Sequence, residues 1–163
     1  MLPDDWMQVR RIYQEGMATG HATFEAEAPD WEKWNMAHLL NCRMVARDAD
    51  KVIGWTGLSS VSSRRVYSGV AEVSLYVSAA KQRQGVGSAL LKALIADSEK
   101  SGVWTLQAMI FPENKVSINL VKKQGFCEVG QRDRLGKMTY GPLAGSWRNV
   151  VLLERRSQSV GIK

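Results

Sequence analysis

The chain has little of what several large function classes require. Only two of its 163 residues are cysteine and only two are histidine. Cys42 and Cys127 lie far apart, with no CxxC pair and no disulfide framework, so both read as buried, reduced thiols. His21 and His38 have no second His or Cys at metal-ligand spacing, and no metal site is expected. There is no G-x-S-x-G elbow, which disfavours a Ser-His-Asp hydrolase. No stretch approaches the ~18 uncharged apolar residues of a spanning helix, so no membrane partner is expected. The opening MLPDDWMQVRR carries acids where a secretory leader needs a positive flank and an apolar run, which predicts a cytoplasmic protein. Internal repeats, low-complexity stretches and Gly/Ser linkers are missing too. One domain is therefore expected over residues 1–156, with residues 157–163 as a disordered C-terminal tail.

What is present describes a globular enzyme-sized domain. Residues are 45% hydrophobic and 23% charged, a balance that favours a packed core over disorder. Lys and Arg number 22 against 16 Asp and Glu, a net charge of +6. An excess of this sign suits an anionic partner: nucleic acid, a membrane surface or a polyphosphate cofactor. A nucleic-acid-binding module would gather its basic residues on one face between aromatics. Here they are scattered and no nucleic-acid motif appears, so no nucleic acid is expected.

The pattern of elements predicts a mixed α/β domain on one sheet. Asp4 or Asp5 caps a helix to about Glu15, stopped by Gly16. Residues 20–29 form a loop. Asp30 caps a second helix to about Leu40, with Trp31, Trp34 and His38 on one face. Strands follow at 43–47, 51–59 and 70–77, the first two joined as a hairpin. A helix at 87–100, a strand at 104–111, a helix at 114–124, and strands at 126–134 and 147–155 complete the order.

The stretch from Ala71 to Leu91 carries the chemistry. A strand ends near Val77, a basic turn Gln82-Arg83-Gln84-Gly85-Val86-Gly87 follows, and a helix opens at once. A helix N-terminus presents unpaired N–H groups and the positive end of its dipole. Glycines remove the Cβ atoms that would hold an anion off. Such a turn suits a pyrophosphate. It is not a P-loop, because no Lys follows Gly87. It is not a full dinucleotide fingerprint, because Leu90 stands where the third small residue belongs.

The Q/R-x-x-G-x-G/A pattern after a strand resembles the acetyl-coenzyme A site of the GCN5-related N-acetyltransferases (GNAT). A second signature of that superfamily, Asn114-x-x-Ser117-Ile118-x-Leu120 followed by Gly125-Phe126, stands in the right order one strand later. Gly20-His-Ala-Thr-Phe-Glu25, Gly54-Trp55, Ala71-Glu-Val-Ser-Leu-Tyr-Val77 and Gly145-Ser-Trp147 resemble the phosphinothricin and methionine sulfoximine N-acetyltransferase branch. The resemblance implies a single GNAT-type α/β domain, its central sheet mixed but mostly antiparallel and flanked by helices. It implies acetyl-CoA as cosubstrate, no metal, a homodimer, and a small amino-acid-like amine acetylated by direct attack in a ternary complex. A polyamine, peptide or protein amine is the alternative acceptor.

The same resemblance assigns roles. Glu72 is the general base that takes a proton from the amine. Strand alternation sets Glu72, Ser74 and Tyr76 on one face, and Val73, Leu75 and Val77 on the other. Leu75, Tyr76 and Val77 supply backbone groups to the thioester and pantetheine. Arg83, Gln84, Gly85, Val86, Gly87 and Ser88 wrap the pyrophosphate, while Asn114 and Ser117 contact the pantetheine arm; Asn114 also reads as a helix N-cap. Phe24, Arg64, Tyr76 and Trp147 are the expected substrate contacts, Arg64 through a substrate carboxylate. Three features depart from the family pattern. Val121 stands where many members carry an acidic Tyr, the opening strand is not evident, and Arg148-Asn149 follows Trp147 where His or Leu and then Asp is usual.

Overall fold

The structure is a computed structural model and describes residues 1–162. Its six strands are β1 (Met44–Asp48), β2 (Lys51–Ser60), β3 (Val70–Val77), β4 (Thr105–Ile110), β5 (Cys127–Lys137) and β6 (Trp147–Arg156). They form one sheet in the order β1-β2-β3-β4-β6-β5. Only β3 and β4 run parallel; every other neighbouring pair is antiparallel. The sheet is thus mixed and mostly antiparallel, as the family resemblance implies. No strand precedes the first helix among the described residues.

Four α-helices flank the sheet: α1 (Trp6–Ala18), α2 (Trp31–Ala37), α3 (Val86–Lys100) and α4 (Lys115–Lys123). The α3/α4 side is aliphatic. Leu91, Leu94, Ile118 and Val121 pack on Leu58, Ala71, Leu106, Ala108, Val151 and Leu153. The α1/α2 side is aromatic. Trp6, Tyr13, Trp34 and Trp55 are buried there, and Tyr76 packs against them. Ring pairs of this kind add about 0.5–1.5 kcal/mol each beyond the area they bury.

Several boundaries differ from the sequence expectation for identifiable reasons. Helix α1 runs through Gly16 to Ala18 instead of stopping there. Glycine is needed at position 16 for space, since a Cβ would stand 2.7 Å from the Tyr76 ring. Asp5 does not cap α1 with its side chain. Its carboxylate accepts from the Leu2 N–H and pairs with Arg47 of β1. Asp30 does cap α2, accepting from the Lys33 N–H at 2.8 Å. That helix ends at Ala37 rather than near Leu40. There Arg43 donates to the carbonyls of Asn35, His38 and Leu39. Of the two thiols, Cys42 is buried and Cys127 is exposed; Cys127 opens the edge strand β5 and has no core to face. Beyond β6, the Ser157 hydroxyl donates to Glu99, and Arg156 donates to the carbonyls of Val160 and Gly161.

Gly16→Ala tests the packing reading. In an open helix this change stabilises by up to about 1 kcal/mol. Against the Tyr76 ring it should instead destabilise by about 1–3 kcal/mol, the usual cost of overpacking. Chemical denaturation of the two proteins measures the sign directly.

Candidate active site

The site begins where the two parallel strands part. β3 and β4 pair over only three positions, Val70↔Thr105, Ala71↔Leu106 and Glu72↔Gln107. Both strands continue, to Val77 and Ile110 respectively. At the foot of the pair, Gly69 C=O accepts from Trp104 and Thr105 of the β4 side. At the head, Ser78 N–H donates to Ile53 C=O of the β2 side at 2.9 Å. Backbone groups alternate in direction along a strand. The Glu72↔Gln107 pair still uses Val73 N–H, so the Val73 C=O and the N–H and C=O of Leu75 and Val77 point into the gap where β4 has turned away. An open backbone row of this kind needs a partner.

The turn before α3 stands at one mouth of the gap. Gly85 is the residue before the helix and has φ of +84°. Arg83 also takes a positive φ, +60°. Among the described residues, no backbone carbonyl accepts from the N–H groups of residues 83–88. Ala89 is the first amide to turn back, to Gly85 C=O at 3.0 Å. This leaves a cluster of donors at the positive end of a 15-residue helix. A Cβ on Gly87 would lie 3.2 Å from Leu120 and 3.5 Å from Val77. Glycine there lets α3 approach both α4 and the open edge of β3. The donor set, the missing Cβ and the parted strands fit a pyrophosphate on an extended arm.

On the α1/α2 face the gap is bordered by Glu72. This carboxyl is half-buried, and burial alone pushes it above the usual carboxylate range. No hydrogen bond or ion pair to Glu72 is formed among the described residues. Two positions along, Tyr76 stacks on Trp55 with centroids 4.8 Å apart and meets Tyr13 edge-on at 4.8 Å. Burial, with Tyr13 beside it, raises its phenol well above 10. Tyr76 is thus both a wall of the site and the floor under α1.

The loop between α1 and α2 closes the other side. Asn114 caps α4, its Oδ1 accepting from Ser117 N–H at 3.1 Å, while its Nδ2 donates to His21 C=O at 3.3 Å. Phe24 packs edge-on against Phe111 and fills the space beside Gly136. Tyr140 donates to Thr23 C=O at 2.9 Å. The strongest tie is Arg148. It is only 4% exposed. It donates to Gly20 C=O at 2.9 Å and to Glu113 at 3.1 Å, meets His21 Nδ1 at 3.1 Å, and lies 4.1 Å over the Phe111 ring. The Arg that departs from the family pattern therefore clamps the loop to the corner before α4.

The expected residues fall into two groups. Glu72, Leu75, Tyr76, Val77, the 83–88 turn, Asn114 and Ser117 surround the gap, with Phe24 on the loop that closes its other side. Arg64 and Trp147 stand apart from this ring. Arg64 lies on the exposed 61–68 connection over the Tyr67 ring, and Trp147 is 57% exposed at the start of β6. Arg148, Tyr13 and Tyr140 were not singled out from sequence. Arg148 had a signal in its departure from the closing pattern, but its partners lie up to 128 positions away. Among the described residues no group of three or more His, Cys, Asp or Glu is placed to hold a metal ion. Among the same residues no helix is long and apolar enough to cross a membrane.

Comparison with known proteins agrees with this geometry. The acetyltransferase (GNAT) family profile matches residues 6–126, and the chain belongs to that family. A phosphinothricin N-acetyltransferase of Alcaligenes faecalis is 30% identical over 159 residues, covering 93% of this chain and 78% of its own. An L-methionine sulfoximine/L-methionine sulfone acetyltransferase of Pseudomonas paraeruginosa (strain DSM 24068 / PA7) is 29% identical, over 68% of this chain and 62% of its own. Among solved structures, a GNAT phosphinothricin acetyltransferase from Sinorhizobium meliloti in complex with AcCoA superposes with a TM-score of 0.85. It covers 100% of this chain and 89% of its own at 24% identity, and so shares the fold. The protein is an N-acetyltransferase.

Arg148→Met tests the clamp. It keeps the packing on Phe111 but removes the donors to Gly20 and Glu113. Loss of about 1–3 kcal/mol is expected, with faster amide exchange in residues 20–24 than in β3. Uniform exchange across both would contradict a local clamp.

Proposed function

We propose that the protein acetylates the α-amine of a small amino-acid-like substrate of the phosphinothricin, methionine sulfoximine or methionine sulfone type, by direct attack in a ternary complex. The observation that carries this is Glu72: an unpartnered, half-buried carboxyl at the point where β3 and β4 part. The named activities of the Alcaligenes and Pseudomonas relatives support the substrate class.

Acetyl-CoA, when bound, supplies the activated acetyl thioester. The N–H groups of residues 83–88 and the α3 dipole hold the pyrophosphate. Leu75, Tyr76 and Val77 direct the arm along the open edge of β3, and Asn114 and Ser117 flank it at the start of α4. The Leu75 N–H points into the gap and orients the carbonyl to be attacked. Glu72 accepts one proton from the ammonium, directly or through water, and leaves the amine lone pair free. Val121 cannot return a proton to the departing sulfur. A thiol of pKa ~8.5 leaves without such help far more readily than an alkoxide does. Phe24 and Tyr76 line the acceptor side.

The catalytic domain spans residues 1–156. The protein acts in the cytoplasm as a homodimer, with neither nucleic acid nor a membrane as partner. An exposed edge strand, β5, which carries Val129 and Leu135, supports the dimer.

Glu72→Gln should lower kcat by about 100-fold or more, with the acetyl-CoA Kd unchanged within about twofold. In the wild type kcat/KM should rise with pH through a limb above the ordinary carboxyl value of 4.5, because the base works only when ionised. The variant should lack that limb. Unchanged turnover would remove Glu72 as the base. Stability runs the other way. A carboxyl raised in the folded state costs stability once pH passes its folded value, and nothing below its unfolded one. Glu72→Gln should therefore have the higher Tm at pH 7 and lose that advantage below about pH 4.5.

A further inference from the structure

Across the middle of the sheet, Glu72 of β3, Gln107 of β4 and Glu154 of β6 stand directly opposite one another in register. All three side chains are half-buried and project from the α1/α2 face, opposite Ala71, Leu106 and Leu153 of the aliphatic core. Gln107 Nε2 donates to Glu154 Oε2 at 3.4 Å. An ionised carboxylate only accepts, so only the amide NH2 can face Glu154. The trigonal amide then turns Oε1 away from the Glu154 carboxylate, leaving it free to accept from a ligand. Glu72 has no donor of its own, and burial is the sole cause of its raised carboxyl. Gln107 and Glu154 also line an open hollow beside Val70 and Thr105, which leaves these two side chains open to a small molecule.

We propose that Gln107 is a further amine-recognition residue: its Oε1 accepts one N–H of the incoming ammonium while Glu72 accepts another, and Glu154 is a positioning residue that sets the amide in that orientation. A primary ammonium carries three N–H donors and no acceptor, which is the complement of two facing oxygen acceptors. The third N–H points away from both oxygens; the proton lost is the one facing Glu72, so the lone pair forms on that side and rotation about the C–N bond brings it to the thioester carbonyl. One proton passes from nitrogen to the Glu72 carboxylate; Gln107 and Glu154 exchange none. This rests on the reading of Glu72 as the base.

The test is a double-mutant cycle on the full chain, with methionine sulfoximine and acetyl-CoA as substrates. Gln107→Met keeps the side-chain length and removes the carbonyl. The amine KM should rise about tenfold, the scale of a lost hydrogen bond to a charged group, with the acetyl-CoA KM unchanged. Glu154→Gln is isosteric and frees the amide to turn either way, so the amine KM should rise less. In the Gln107→Met background Glu154→Gln should add nothing, because Glu154 acts only through Gln107. Additive effects, or a Gln107→Met amine KM equal to that of the wild type, would overturn the proposal. An active wild type with an inactive Glu72→Gln and a normal Gln107→Met discards this inference alone. A wild type that turns over no amine, across amino acids, polyamines and peptides, discards the base reading together with it.

Discussion

The parting of β3 from β4 after Glu72 and Gln107 is the constraint on which the rest of the structure depends. A parallel pair that ends while both strands continue leaves the Val73 carbonyl and the N–H and C=O of Leu75 and Val77 without a partner strand. Buried without water or ligand, such groups would cost several kcal/mol between them. The fold tolerates the gap because it is open at the α3 end, where the 83–88 turn adds further unpaired donors. Both sets suit one elongated ligand with carbonyl groups along an arm and a pyrophosphate at its end. The sheet's weakest point as a sheet is therefore the place of the proposed binding site.

The parting must be held in place, and the two helical layers do so by different means. On the aliphatic side, glycine at 87 lets α3 close on Leu120 and Val77, which fixes the donor turn against the gap. On the aromatic side, Trp55, Tyr76 and Tyr13 hold α1 over the end of β3, with Gly16 making room for the Tyr76 ring. The loop leaving α1 is then fastened to α4 and β6 through Asn114 and Arg148. Proposed acceptor and cofactor sides thus share one corner, at residues 111–114. Cross-strand register completes the acceptor side by lining up Glu72, Gln107 and Glu154 on the face opposite the core.

Much of this was legible in the sequence. The helix-opening turn, the Asn114 motif and the strand carrying Glu72 are local patterns, and local patterns announce themselves within ten residues or so. The Asp30 cap was readable for the same reason. What the sequence concealed was set by contacts across long separations. Gly16 reads as a stop until Tyr76, sixty positions on, is seen to occupy the space its side chain would need. Asp5 reads as a cap until Arg47 is seen beside it. Arg148 reads only as a departure until its partners at Gly20, His21 and Glu113 are assembled around it. Gln107 and Glu154 carry no motif at all, because their meaning lies in strand register, which single-chain periodicity does not determine. Cys127 was expected inside on residue type, and the edge position of β5 puts it outside.

The most direct measurement of the central claim is release of free CoA thiol from acetyl-CoA across a panel of amines. The panel holds phosphinothricin, methionine sulfoximine, methionine sulfone, ordinary amino acids, spermidine and a short peptide. Turnover with one or more of the three amino-acid analogues, and little with spermidine or peptide, is the predicted result. Turnover confined to spermidine or peptide would contradict the substrate reading while leaving the gap between β3 and β4 as an acetyl-CoA site.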